Sequence, residues 1–319
     1  MTNDPGFDVP LTPNEIEVFL GRPETDIPLS DLPPQKILVT GAGGSIGRAL
    51  TISLLENGHT VTALDKNENG LFLLHQLCVE NKKEILPEFL VLNLGAYIYI
   101  TEHLRANAYD VVIHAAAHKH VGMMELNAVE CRRNNLEHSL NLFQQAGKAD
   151  VKRFVFLSTD KAVDPIGVMG KSKHEAERHL AHFAASSTMT LTTMRLPNVL
   201  GSDGSVTQIF RRQLGLGRPL SITNPEAARL FISPHQATQL IMTALHENHV
   251  GTRVPAHVER LTVLDLAKRA HSLWGLGAEV EMVATGLGAG ERLEEKLVAP
   301  DEVESPSQNP SLTAVTKAG

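Results

Sequence analysis

The chain has 319 residues, 42% hydrophobic and 20% charged, the profile of a globular protein with room for a large α/β domain and a smaller companion. A net charge of −7 argues against general affinity for nucleic acid, whose phosphates are bound through an excess of Lys and Arg. No apolar run suits a membrane span and the acidic, proline-rich start lacks a signal-peptide pattern, so a cytoplasmic protein is expected, with Cys78 and Cys131 as reduced, buried thiols without metal-type spacing.

Residues 1–35 hold several prolines and one short helical pattern, Pro13 to Leu20, and read as an arm lying on the domain. Lys36 to Thr40 reads as a strand that runs into Gly41-Ala42-Gly43-Gly44-Ser45-Ile46-Gly47 and then a helix through Leu55. Glycines let such a turn approach a pyrophosphate, whose charge is met by free amides at the helix N-terminus. A second strand, Thr60 to Leu64, ends at Asp65, near the offset where a carboxylate meets the adenosine ribose hydroxyls, which favours NAD. Lys66 beside it would suit a 2′-phosphate, so NADP stays open. A third strand, Glu88 to Leu92, delivers Asn93 and Leu94 to the adenine edge, or Asn93 simply caps its loop.

Asp110 to His114 is a fourth strand, followed by Ala115, Ala116 and Ala117, small enough for close cofactor approach, and by Lys119 with His118 and His120 facing the crevice or serving as satisfied loop residues. Phe154 to Leu157 reads as a buried central strand ending in the polar cluster Ser158, Thr159, Asp160 and Lys161. The following helix carries Met169 and Lys173 four residues apart on one face, so two lysines, a carboxylate and two hydroxyls converge on one crevice. Beyond a sixth strand, Leu191 to Leu196, the alternation loosens and arginines recur. Arg211 and Arg212 suit a solvated helix face, whereas Arg229, after the Asn224-Pro225 turn, suits a diphosphate.

The pattern predicts an α/β protein with a Rossmann-like doubly wound parallel sheet and a smaller C-terminal α/β substrate domain. The expected division is 36–196 with 230–250 for the dinucleotide, and 197–229 with 251–299 for the second ligand. The last twenty residues, 300–319, poor in apolar side chains, read as a disordered tail.

The segments VTGAGGSIG, AAHKHV, STDKAV with VMGKSK, and LPNVLGSDGSV followed by NPEAARLF resemble, in order and spacing, the bacterial UDP-N-acetylglucosamine 4,6-dehydratases of polysaccharide biosynthesis, which are extended short-chain dehydrogenases/reductases. The resemblance runs from about Ile16 to Val298, and LGRP at Leu20 to Pro23 resembles the linker that joins membrane-anchored members to their catalytic domain, so a soluble form is expected. It implies bound NAD or NADP, a UDP-sugar substrate and a homo-oligomer. Lys161 would be the base at carbon 5 and Asp160 the acid for the departing hydroxyl. Thr159 would bind the carbon 4 oxygen, and Lys173 the nicotinamide ribose. The sugar nucleotide would be held by Lys119, His120, Met169, Asn198, Ser205, Val206, Arg229 and Glu291. Three departures stand out: Asn93 for the usual Asp, Asp203 for the usual Arg, and Gly286-Leu287-Gly288 for the usual Arg-Pro-Gly. Met169 stands where the wider superfamily has its catalytic Tyr, as in several dehydratases of this type.

Overall fold

The computed structural model describes residues 9–29, 32–246, 251–275 and 281–318. Parts of the expected arm (1–8, 30 and 31) and residues 276–280 of the expected smaller domain lie outside them. In chain order the first half contains α1 (Pro13–Leu20), β1 (Lys36–Thr40), α2 (Ser45–Glu56), β2 (Thr60–Asp65), α3 (Glu68–Glu80), β3 (Glu88–Val91), α4 (Tyr97–Ala106) and β4 (Val111–His114). Helices α5 (Val121–Glu125), α6 (Ala128–Arg132) and α7 (His138–Lys148) follow, then β5 (Arg153–Thr159), α8 (Val168–Ala184) and β6 (Thr190–Leu196). The remainder comprises β7 (Asn198–Val199), α9 (Val206–Gly215), β8 (Leu220–Ile222), β9 (Ala228–Ile232), α10 (Pro234–His246), β10 (Gly251–Pro255), β11 (Glu259–Thr262), α11 (Val263–Trp274), β12 (Met282–Ala284), β13 (Glu302–Pro306) and β14 (Leu312–Lys317).

Among the described residues the main sheet has nine strands in the order β13-β14-β10-β6-β5-β4-β1-β2-β3. From β10 to β3 all pairings are parallel, with the order reversing between β1 and β4, the place where open α/β sheets hold ligands. Both faces of the central strands are apolar because both are covered by helices. Ile37, Val39, Val155 and Leu157 pack on one side with Leu50, Leu54 and Leu240, while Leu38, Phe154 and Phe156 pack on the other with Leu142, Phe143 and Leu180.

The second unit consists of β7-β9-β11 and β8-β12, with α1, α9 and α11 gathered around Phe19, Phe210 and Leu266. Helix α1 is started by a Thr12–Glu15 capping box and stopped at Gly21, whose left-handed φ of 73° suits glycine. Arg211, expected on a solvated face, instead pairs with Glu15 at 2.7 Å and lies over the Trp274 ring, so it ties the arm to this unit.

The chain beyond 299 departs from expectation. Residues 302–306 and 312–317 form a hairpin whose second strand pairs antiparallel with β10, with Leu312 and Val315 buried. Two apolar residues suffice here because β10 offers an edge, and the ladder satisfies the backbone. Strand β10 extends the main sheet beside β6, so residues 251–255, expected in the smaller domain, fall with the main sheet, and β9, including 230–232, pairs in the smaller sheet. The hairpin is anchored by a buried cluster: Arg195 Nη2 donates to Glu177 of α8 at 2.7 Å and Nη1 to Glu302 at 2.7 Å. Among the described residues no helix is long and apolar enough to cross a membrane.

Candidate active site

A groove opens at the sheet's reversal point, lined by Gly41, Gly44, Asp65, Lys66, Asn93, Leu94 and Ala115 to Ala117. Its floor depends on glycine. Gly41 has φ 72°, and a Cβ at Gly47 would lie 2.1 Å from the Gly41 carbonyl oxygen, so neither position admits a side chain without moving the turn. Ser45 and Ile46 open α2, whose N-cap Gly44 provides no side chain to satisfy the first amides. These N–H groups are free to meet an anion. Asp65 accepts from Gly43 N at 2.9 Å and from Asn67 N at 2.9 Å, fixing the turn against the tip of β2. Asn93 caps its own loop, accepting from Gly95 N at 2.9 Å, while still bordering the groove. Lys66 Nζ lies 3.4 Å from Asn134 Oδ1 at the rim.

Asn134, a groove residue that sequence reading missed, owes its place to a π-helical turn over 133–137 between α6 and α7. The wider turn buries both Asn134 and Asn135. Asn135 then clamps the loop after β4, accepting from His118 N at 2.8 Å and donating to His118 O at 3.0 Å. His118 also faces Glu130 at 3.2 Å.

Below the tip of β5 lies a second, narrower cleft, lined by Lys161, Met169, Gly170, Arg292 and Glu295 among others. A Cβ at Gly170 would sit 2.2 Å from the Lys161 carbonyl oxygen, so glycine is what allows α8 to press against this tip. Lys161 Nζ donates to Asp160 Oδ1 at 3.0 Å and to Asn198 Oδ1 at 3.3 Å, with its side chain 21% exposed. Asp160 is different: its side chain is 0% exposed. Oδ1 also accepts from Thr159 Oγ1 at 2.7 Å, and Oδ2 from Asn198 Nδ2 at 3.4 Å. Met169 is buried against Met124 and Cys131.

Lys173 stands apart from these groups. It is buried, donates to Leu157 O at 2.7 Å, and lies 4.3 Å from the centre of the Phe156 ring. Burial pulls its ammonium down to about 8, against the opposing pull of Glu177. Lys119 is likewise lowered by burial, with Asp203 opposing and Arg48 adding to the shift, and His120 is lowered by burial and by Lys119. The departure at Asp203 has a partner: Arg48 Nη2 donates to its carboxylate at 3.1 and 3.2 Å while Nη1 donates to Gly43 O. The loop 201–205 of the smaller unit is thereby tied to the glycine turn.

The remaining expected sugar-nucleotide residues are spread along the smaller unit. Ser205 and Val206 open α9, Arg229 donates to Ala228 O at 3.0 Å and Leu293 O at 3.2 Å, and Glu291 accepts from Gly288 N at 3.0 Å inside its own turn. The structure brings Asn198 to Lys161 and Asp160, and of the strap following β12 it is Gly290, Arg292 and Glu295 that line the cleft, with Glu291 outside that lining. Burial raises the Glu295 carboxyl, with Lys161 opposing the shift and Asp160 adding to it. The sequence signal for it was the Glu294-Glu295 pair close to Glu291.

Against known proteins, the family model described as polysaccharide biosynthesis protein matches residues 37–317. The chain belongs to that polysaccharide biosynthesis family. Within the family, the capsular polysaccharide biosynthesis protein CapD of Staphylococcus aureus is 33% identical over 300 residues, 91% of this chain and 50% of CapD. The chain spans about half the length of CapD and of the probable polysaccharide biosynthesis protein EpsC of Bacillus subtilis, to which it is 31% identical. The UDP-N-acetylglucosamine 4,6-dehydratase (inverting) of Campylobacter jejuni serotype O:2 and the UDP-glucose 4-epimerase of Rickettsia canadensis are each 28% identical, over 84% of this chain and 78% of their own lengths. The X-ray structure of Pen from Bacillus thuringiensis superposes with a TM-score of 0.76 at 27% identity, covering 84% of this chain and 83% of that one. The family fold is the extended short-chain dehydrogenase/reductase fold, and the strand order of the main sheet agrees with it.

Proposed function

We propose that the protein is a nucleotide-sugar 4,6-dehydratase acting on a UDP-sugar, most simply UDP-N-acetylglucosamine, with bound NAD. The observation that carries this reading is the Lys161-Asp160-Asn198 cluster at the tip of β5, beside Met169 rather than a tyrosine. A 4-epimerase, the reading favoured by relatives of equal identity, ordinarily relies on that phenol and has no use for a base beside carbon 5.

The groove fits a dinucleotide: the glycine turn excludes side-chain volume, the first amides of α2 are free, and Asp65 stands where ribose hydroxyls are read. When bound, the nicotinamide supplies a hydride acceptor for carbon 4 and later a hydride donor for carbon 6. The chain's own residues do the rest. Oxidation at carbon 4 acidifies the proton on carbon 5, and Lys161 takes it once the amine is uncharged. Thr159 hydrogen-bonds the carbon 4 oxygen. Asn198 and Asp160 fix the lysine's direction, which matters because a small misplacement of a reacting group costs orders of magnitude in rate. Arg229 and the N-terminus of α9 at Ser205 and Val206 would hold the diphosphate, with Lys119 and His120 beside it.

The test is incubation with a panel of UDP-sugars in deuterated water, followed by NMR of the sugar. A 4-keto-6-deoxy product carrying solvent deuterium at carbon 5 is expected. The 4-epimer without that label would replace this reading with an epimerase, and an unchanged panel would leave only a binding protein.

A further inference from the structure

Loop 201–205 belongs to the smaller unit, yet its tip is held by the larger one. Its own hydrogen bonds make it a single piece: Ser205 N donates to Ser202 O at 2.8 Å, and Gly204 N to Gln208 Oε1 of α9 at 2.7 Å. Leu11 of the arm backs it, close enough that a Cβ at Gly201 would lie 2.9 Å from Leu11 Cγ. At the tip, a Cβ at Gly204 would lie 2.6 Å from His120 Cε1, and Arg48 Nη2 donates to both carboxylate oxygens of Asp203, at 3.1 and 3.2 Å. Arg48 is itself fixed by donating to Gly43 O, and its side chain is only 18% exposed. The loop therefore touches residues that follow β1 and residues that follow β4, the two strands between which the sheet order reverses. Both contacts adjoin the groove. Gly43 lies between two glycines that line it, and His120 is two residues beyond His118, which also lines it.

We propose that loop 201–205 is a bar across the crevice between the ends of β1 and β4, latched by the Arg48–Asp203 pair, and that a dinucleotide enters and leaves only when the latch parts. The purpose of the bar rests on the dehydratase reading above: the hydride taken from carbon 4 returns to carbon 6 of the same sugar, so a cofactor lost between the two transfers strands the intermediate. The charge of Asp203 supports a latch over direct contact with the ligand. A carboxylate brought to a glycine turn repels a pyrophosphate, whereas paired with a guanidinium already bonded to that turn it joins the two units. Because the loop is one hydrogen-bonded piece that continues into α9, parting the latch moves it together with the smaller unit.

Charge and latching predict opposite signs for cofactor release, so the sign decides. The chain is loaded with NADH, or with NADPH if that is held more tightly, and chased with excess oxidised cofactor in a stopped-flow fluorimeter, with no sugar present. Removing an anion beside a diphosphate, as in Asp203→Asn, should by charge alone slow release. With the latch broken, release should instead become about fivefold faster, the upper end for a partly exposed ion pair. Asp203→Arg, which turns the latch into a repulsion, should release faster still, although charge alone would make it the slowest of the three. Added salt should speed release from wild type and narrow its difference from Asp203→Asn. Release from folded Asp203→Asn that is unchanged or slower than wild type would overturn the bar, as would slower release from Asp203→Arg. A wild type that binds neither reduced cofactor would bring down the dinucleotide reading and the bar together. With no sugar in the experiment, failure of the bar is told apart from failure of the dehydratase reading, which the sugar panel decides.

Discussion

The two halves of the crevice are built by different means. On the proposed cofactor side the lining is mainly main chain: the glycine turn after β1, the opening amides of α2 and the alanines after β4. On the proposed sugar side it is polar and charged side chains delivered from β5, β7, β9 and the strap beyond β12, with the hairpin of β13 and β14 holding that strap through Arg195. A main-chain cradle tolerates changes of side-chain chemistry but not added volume. A side-chain cluster tolerates neither loss of charge nor loss of the distant segments that carry it.

Lys161→Ala should divide the halves most sharply. Water loss should fall by about 10³- to 10⁴-fold, the upper range for a missing general base, while cofactor affinity measured by fluorescence titration stays within about threefold of wild type. Undiminished turnover would remove Lys161 from the chemistry.

Next in size is Arg195→Met, which strands Glu177 and Glu302, both buried, without their shared cation. Glu302 is opposed by burial, yet its hydrogen bonds to Arg195 hold the carboxyl below the usual range. Breaking a buried ion cluster by removing one partner costs about 3–5 kcal/mol. The loss should appear in chemical denaturation and as early hydrogen exchange in β13 and β14. If those strands keep full protection, the hairpin does not depend on this cluster.

Gly47→Ala attacks the other half. The new methyl would collide with the Gly41 carbonyl, so the turn must shift, and cofactor affinity should drop by about 10²-fold while the Lys161 cluster stays intact. An alanine variant that binds cofactor normally would show that the turn yields cheaply.

The same contrast explains what the sequence could reveal. The glycine turn, Asp65 and the three alanines were legible because each is a local consequence of a few adjacent residues following a strand. The polar run 158–161 was legible as a strand tip, but not the burial of Asp160, which depends on Asn198 and Thr159 closing over it. The ordered hairpin was illegible for a related reason. Residues 300–319 contain too few apolar side chains to predict a strand by themselves, and only the free edge of β10, together with Arg195, gives them somewhere to bind.

The smallest effect concerns Lys173, buried against β5. Its ammonium is lowered from 10.5 to about 8 in the folded chain, chiefly by burial. Between roughly pH 8 and 10.5 the unfolded chain therefore holds a proton on this lysine that the folded chain has released, so stability rises with pH across that window. The favourable contribution is fully present above the unfolded value and is lost as pH falls through about 8, where the buried site must accommodate a charge. Urea unfolding of the wild type and of Lys173→Met without added cofactor, compared at several pH values, isolates this group because other titrations cancel in the difference. Wild type should gain on the variant as pH rises, by roughly 1 kcal/mol per pH unit at the steepest point. The Leu157 carbonyl and the Phe156 ring both prefer the charged form, so a flat difference would mean that they, with Glu177, fully offset the loss of water around the ammonium.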